Sequence, residues 1–160
     1  MSGIYTMSIV QNTSQYDINN VYFCDSIKNN VMINGTFIRI LYCLPNFTMN
    51  GVYIHMLFSD LTYEKYYQKY KCDFNVDKCA ELVASVVDIE KTILDKIAQK
   101  IENKTPQYKI AEQLTNGYLK IYSSGPPKGS SSSFLLKISG IWETDNSYGL
   151  TYKFSKVVGL

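Results

Sequence analysis

The sequence predicts a mainly β domain of the α+β class with one long helix, and three observations carry that prediction. Asn34-Gly35 and Asn50-Gly51 stand between apolar runs in the first half, and a two-residue turn with positive φ at both positions favours this pair. From Asp77 to Asn103 apolar residues recur at helical spacing. The stretch from Phe134 to Phe154 alternates apolar and polar residues as two strands.

With 160 residues and 46% hydrophobic content, residues 1–160 are expected to form a single domain that builds a core without disulfides. Ile4 to Val10 alternate weakly as a first strand, Gln11 to Asn20 read as a polar loop, and Val21 to Ile27 is a second apolar run. The first Asn-Gly pair should join a strand near Ile27 to Ile33 with Thr36 to Cys43. The second should join Asn46 to Met49 with Val52 to Ser59, where Val52, Ile54, Met56 and Phe58 share one face.

Thr62 to Cys72 fits two periods. Helical spacing groups Tyr63, Tyr66, Tyr67 and Tyr70 as a core stripe, whereas strand spacing sets Tyr63, Lys65, Tyr67, Lys69 and Lys71 on one side. The β preference of tyrosine favours the strand, whose face would alternate aromatic and basic groups. The helix that follows has an apolar stripe including Val83, Val86, Ile89, Ile93 and Ile97, with Glu90, Lys91, Asp95, Lys96 and Lys100 outside it. Ser85 followed by Asp88 resembles a capping box and marks a second start or a break, and Pro106 closes the segment. Tyr108 to Leu114 adds a short helical turn ending at Asn116-Gly117, and Tyr118 to Tyr122 is a strand with Tyr118, Lys120 and Tyr122 on one side. Residues 123–133, SSGPPKGSSSS around Lys128, form a flexible loop inside the sheet system, either disordered or able to close over a bound strand.

In the final strand pair Phe134, Leu136, Ile138, Gly140 and Trp142 share a face, as do Tyr148, Leu150, Tyr152 and Phe154. These faces coincide only across an odd-numbered loop such as Thr144, Asp145, Asn146, with Asn146 able to take positive φ. That register sets Trp142 opposite Tyr148 and in the core, Ile138 opposite Tyr152, and Leu136 opposite Phe154. On the other face it sets Lys137 opposite Lys153 and Ser139 opposite Thr151. Opposed lysines repel by a few tenths of a kcal/mol up to about 1 kcal/mol, which an anion such as phosphate would reverse; two solvated, splayed lysines are the plain alternative.

Several function classes find little support. A net charge of +2 is too mild for a strongly basic protein, so any basic footprint must be local. The fourteen tyrosines suit either a strand-rich core or base-stacking surfaces. The N-terminus carries no secretory pattern and no stretch approaches a membrane span, so the chain is expected to be intracellular. Cys24, Cys43, Cys72 and Cys79 lack metal or disulfide spacing, and His55 is the sole histidine without a marked nucleophile partner. No catalytic residues, metal or cofactor are expected.

The run LLKISGIWETDNSYGLTYKF, preceded by YKIAEQLTNGYLKIY, resembles the C-terminal part of single-stranded-DNA-binding proteins of large eukaryotic DNA viruses, which are OB-like. The resemblance covers the last third to half of the chain, and its sharpest pieces are G-I-W-E and Y-G-L-T-Y-K-F. The strand, strand, strand, long helix, strand, strand order also matches the OB layout, so an OB-like barrel with extra strands is expected. The resemblance implies sequence-independent binding of single-stranded DNA in viral replication or repair, with RNA and a homo-oligomer left open. Lys120, Lys137 and Lys153 would meet phosphates, Tyr118 and Tyr122 would stack on bases, and Lys128, Lys65 and Lys69 would add charge. A non-enzymatic, virus-encoded interaction domain acting on a host factor is the alternative. The C-terminus lacks the acidic tail with which some viral and phage single-strand binders recruit partners.

Overall fold

A computed structural model describes residues 10–29, 31, 34–122 and 133–157. Its elements run β1 (Val21–Lys28), β2 (Thr36–Leu44), β3 (Phe47–Met49), β4 (Val52–Leu57), β5 (Thr62–Tyr66), β6 (Lys69–Asp73), α1 (Ala80–Ala98), β7 (Thr105–Gln107), α2 (Lys109–Thr115), β8 (Tyr118–Tyr122), β9 (Ser133–Glu143) and β10 (Ser147–Lys156). The fold is mainly β and of the α+β class. Among the described residues the ten strands form one mixed sheet in the order β1-β2-β9-β10-β8-β6-β5, with β3 on β2, β4 on β9 and β7 on β10. The end strands β1 and β5 do not pair with each other, so the sheet is open and does not take the expected barrel form. The expected strand at Ile4 to Val10, apart from Val10, and the loop bearing Lys128 lie outside the described residues.

One face of the sheet and the apolar stripes of both helices make the core. Ile40, Ile54, Leu136 and Ile138 from the sheet and Ile93 and Ile97 from α1 are fully buried in one cluster. Val52, Ile54, Met56 and Phe58 share the buried face as their alternation predicts. α1 runs unbroken through Ser85 and Asp88, because the apolar period continues across them and tertiary burial outweighs a local capping signal. Glu90, expected outside the stripe, is instead only 1% exposed. Its Oε2 and Oε1 accept the backbone N–H groups of Ile110 and Ala111 at 3.0 and 2.8 Å, satisfying two of the open donors at the start of α2.

Both Asn-Gly expectations need correction. β1 and β2 do pair, but Lys28 faces Thr36, so Asn34-Gly35 closes a longer loop and is not a two-residue turn. β3 and β4 do not pair with each other: β3 pairs with β2 and β4 with β9. Asn50-Gly51 carries the chain from one strand to the other, and a Cβ on Gly51 would stand 2.7 Å from the Ile138 carbonyl oxygen of β9. The tight turn is Pro45-Asn46, between the paired Leu44 and Phe47.

The β9–β10 hairpin holds the most consequential correction. Ile138 faces Tyr152, Lys137 faces Lys153 and Leu136 faces Phe154, as the alternation predicts. Beyond a bulge at Ser139 the register changes, so that Thr151 faces Gly140, Gly149 faces Trp142 and Tyr148 faces Glu143. Four residues separate Glu143 from Tyr148, an even connection that would turn the apolar faces out of phase, and the extra residue at Ser139 restores them. Asn146 keeps negative φ; the turn is held by the Thr144 N–H donating to the Ser147 carbonyl at 2.8 Å. Ile141 thereby takes the core position and Trp142 turns to the opposite face, half-buried.

Candidate nucleic-acid interface

The sheet face turned away from the helices gathers the lysines. On β8, Leu119 and Ile121 point into the core, so Tyr118, Lys120 and Tyr122 point outward. On β6, Tyr70 and Cys72 are buried, so Lys69 and Lys71 point outward. β6 and β8 pair so that Lys71 stands directly opposite Lys120, and Lys69 opposite Tyr122. Lys137 and Lys153 form a second opposed pair on β9 and β10. Glu64 and Asp73 supply negative charge on the same face, with Asp73 3.5 Å from Lys71.

Tyrosines are interleaved with these ammonium groups. The Lys69 Nζ lies 4.9 Å from the Tyr122 ring centroid and the Lys71 Nζ 4.9 Å from that of Tyr118. Lys120 reaches the rings of Tyr66 and Tyr118 at 5.7 and 5.8 Å, and Lys137 that of Tyr53 at 5.5 Å. Such contacts hold flexible side chains over ring faces at a weak cost to release, about 0.5–1 kcal/mol at exposed sites. Tyr66, Tyr118, Lys71 and Lys120 border a groove of about 380 Å³.

A cleft follows from the topology. β8 and β10 are parallel and share the single pair Ile121 and Phe154, so the sheet gapes beyond it. Lys69, Lys120, Lys153 and Tyr122 converge on that gap, whose volume is about 190 Å³. Gln113 of α2 ties the seam: its Nε2 donates to the Tyr152 hydroxyl and its Oε1 accepts the Lys120 N–H at 3.1 Å. Burial pushes the Tyr152 phenol up to about 12, so it stays protonated at neutral pH.

The structure thus places Lys69, Lys120, Lys137, Lys153, Tyr118 and Tyr122 on one face. Lys65 belongs elsewhere. Thr62 to Cys72 is neither one strand nor a helix but the β5–β6 hairpin, turning at Tyr67-Gln68 with Tyr67 at φ 58°. The turn resets the alternation, so Lys65 faces Tyr70 on the helix side of the sheet, while Glu64 and Tyr66 face Lys71 and Lys69 on the outer side. Lys128 lies outside the described residues. Sequence reasoning missed Tyr66 and Tyr53, and it put Lys71 on the aromatic and basic face without naming it among the contact residues. The signal for Lys71 was available in the KYKCD alternation, but its partner Lys120 lies 49 positions later in the chain.

Comparison with family models, curated proteins and solved structures finds no match. The site therefore stands on its own geometry. Among the described residues no group of three His, Cys, Asp or Glu could hold a metal ion. No helix among them is long and apolar enough to cross a membrane. Cys72 is fully buried and its thiol is pushed up to about 12 by that burial, which keeps it protonated and unreactive.

Proposed function

We propose that this protein binds single-stranded DNA without sequence preference, as a non-enzymatic binder acting in viral DNA replication or repair. The observation that carries the reading is the pair of opposed lysine pairs, Lys71 with Lys120 and Lys137 with Lys153, on one helix-free face interleaved with tyrosines. Like charges set directly across a strand pair repel; Asp73 and Glu64 offset part of the Lys71 charge, whereas Lys137 and Lys153 have no ion-pair partner among the described residues, so a polyanion lying along the face relieves the repulsion between Lys137 and Lys153 above all. Exposed rings such as Tyr122 and Tyr66 supply sequence-tolerant surfaces, because every base has a π-face. A lysine over a ring can swing its ammonium to a phosphate and release the ring to a base.

The resemblance of the C-terminal run to OB-like viral single-strand binders supports the same ligand class, although the sheet is open. Titration of labelled oligo(dT) and of a mixed-sequence oligonucleotide by fluorescence anisotropy tests the proposal. Comparable affinity for both is expected, and absence of binding at low salt would remove the nucleic-acid reading.

A further inference from the structure

The lysine face does not end at Lys137 and Lys153. Residues 149, 151 and 153 of β10 alternate without interruption on the outer side, facing Trp142, Gly140 and Lys137 of β9. Trp142 also faces Phe37 on β2, so the two residues project from neighbouring strands on the same side of the sheet. Both lie low on the sheet because glycines stand beneath them. A Cβ on Gly149 would come within 2.7 Å of the indole, and one on Gly140 within 2.5 Å of the Phe37 ring and 2.3 Å of the Ile38 carbonyl oxygen. Trp142 and Phe37 border a groove of about 370 Å³ whose lining is mostly apolar and also includes Thr151, Asn29 and Val31. That size lies in the range of small-molecule sites. The Arg39 guanidinium, 6.0 Å from the Phe37 centroid and donating to Asn50 at 2.8 Å, adds a cation beside it.

We propose that this groove is a nucleobase-stacking site in which Trp142, flanked by Phe37, takes a base of the same strand whose phosphates meet Lys137 and Lys153. The inference rests on the reading of the lysine face as a single-strand surface. Continuity and charge select a base as the occupant: the groove opens on the same face as the lysine pair, about 15 Å along β9 at the usual rise per residue, and carries a cation. Aromatic rings seated over glycines on an open sheet face offer the kind of apolar π-surface on which a base can stack.

The chain has one tryptophan, so its emission reports this site alone. Oligo(dT) is titrated into the protein with Trp142 emission and oligonucleotide anisotropy followed together. Quenching that saturates with the anisotropy change is expected. Trp142→Leu should weaken binding by about 5- to 150-fold, the range for loss of one stacked base, while leaving the salt dependence of binding unchanged, and Trp142→Phe should recover much of the affinity. Gly149→Ala, which displaces the indole without removing it, should weaken binding as well. Melting temperatures of all variants separate loss of contact from loss of fold. Anisotropy without quenching, or Trp142→Leu binding as the wild type, overturns the stacking site and leaves the lysine face standing. No binding by either readout overturns both. A concentration-dependent blue shift of Trp142 without oligonucleotide would assign the groove to contact between copies, and also overturns it.

Discussion

Removing the opposed lysines should change the salt dependence of binding by an amount that the structure sets. Among the described residues five lysines line the outer face, and Lys71 is partly neutralised by Asp73 at 3.5 Å. Lys69, Lys120, Lys137 and Lys153 make no ion pair among the described residues. If each of these meets one phosphate, log affinity should fall with log salt at a slope of about −2.8, since each contact on a single strand contributes about −0.7. Between about 50 and 200 mM salt that slope is a loss of roughly 50-fold. The Lys137→Ala/Lys153→Ala protein keeps half of those contacts, so its slope should drop to about −1.4 and the same salt change should cost it only about 7-fold. Loss of the repulsion should leave its stability equal or higher by up to about 1 kcal/mol. Anisotropy titrations of oligo(dT) at four salt concentrations, with a melting curve for each protein, give all of these quantities. An unchanged slope in the double variant refutes the phosphate contacts, and affinity that falls only together with the melting temperature makes these lysines structural.

Four further outcomes follow from the packing. Glu90→Ala strands two backbone N–H groups at the start of α2, a loss of about 2–4 kcal/mol in chemical denaturation once the relieved burial of the carboxylate is set against about 1–3 kcal/mol per unmet donor; a change under 1 kcal/mol would show that water replaces it. Burial raises the Glu90 carboxyl above its ordinary range against the pull of those two donors. Its contribution is therefore full below the unfolded value of about 4.3 and is lost as pH rises through the folded value. Stability of the wild type relative to the non-titrating Glu90→Gln should decline over that interval, and a difference that grows with pH contradicts the assignment. Gly140→Ala forces a methyl against the Ile38 carbonyl and the Phe37 ring, an overpacking expected to cost about 1–3 kcal/mol in a denaturant titration. Tyr67→Gly relieves a left-handed backbone at φ 58° and should stabilise the hairpin by about 1 kcal/mol; if its ring serves binding, affinity falls while the melting temperature rises.

What the sequence determined by itself is whatever depends on neighbours within one element. The stripe of α1, the buried set Val52, Ile54, Met56 and Phe58, and the outward Tyr118, Lys120 and Tyr122 all follow from period alone, because burial of one face is a local consequence of spacing. The pairing of Lys137 with Lys153 was legible from the demand that the two apolar faces coincide, although the four-residue connection alone would set it one residue out and the bulge at Ser139 restores it. Tertiary structure decided the rest. Asn50-Gly51 announces a turn, but whether the strands beside it pair depends on β9, whose distant edge receives β2 and β4 end to end. Lys71 met Lys120 only when β6 and β8 came together, and Glu90 was called into the core by open N–H groups on another helix. The bulge at Ser139 is the sharpest case. Composition cannot show a single extra residue in one strand, since its effect is to shift register. That shift sends Ile141 inward and Trp142 out onto the lysine face, because side-chain direction in a strand has a period of two and one residue reverses it.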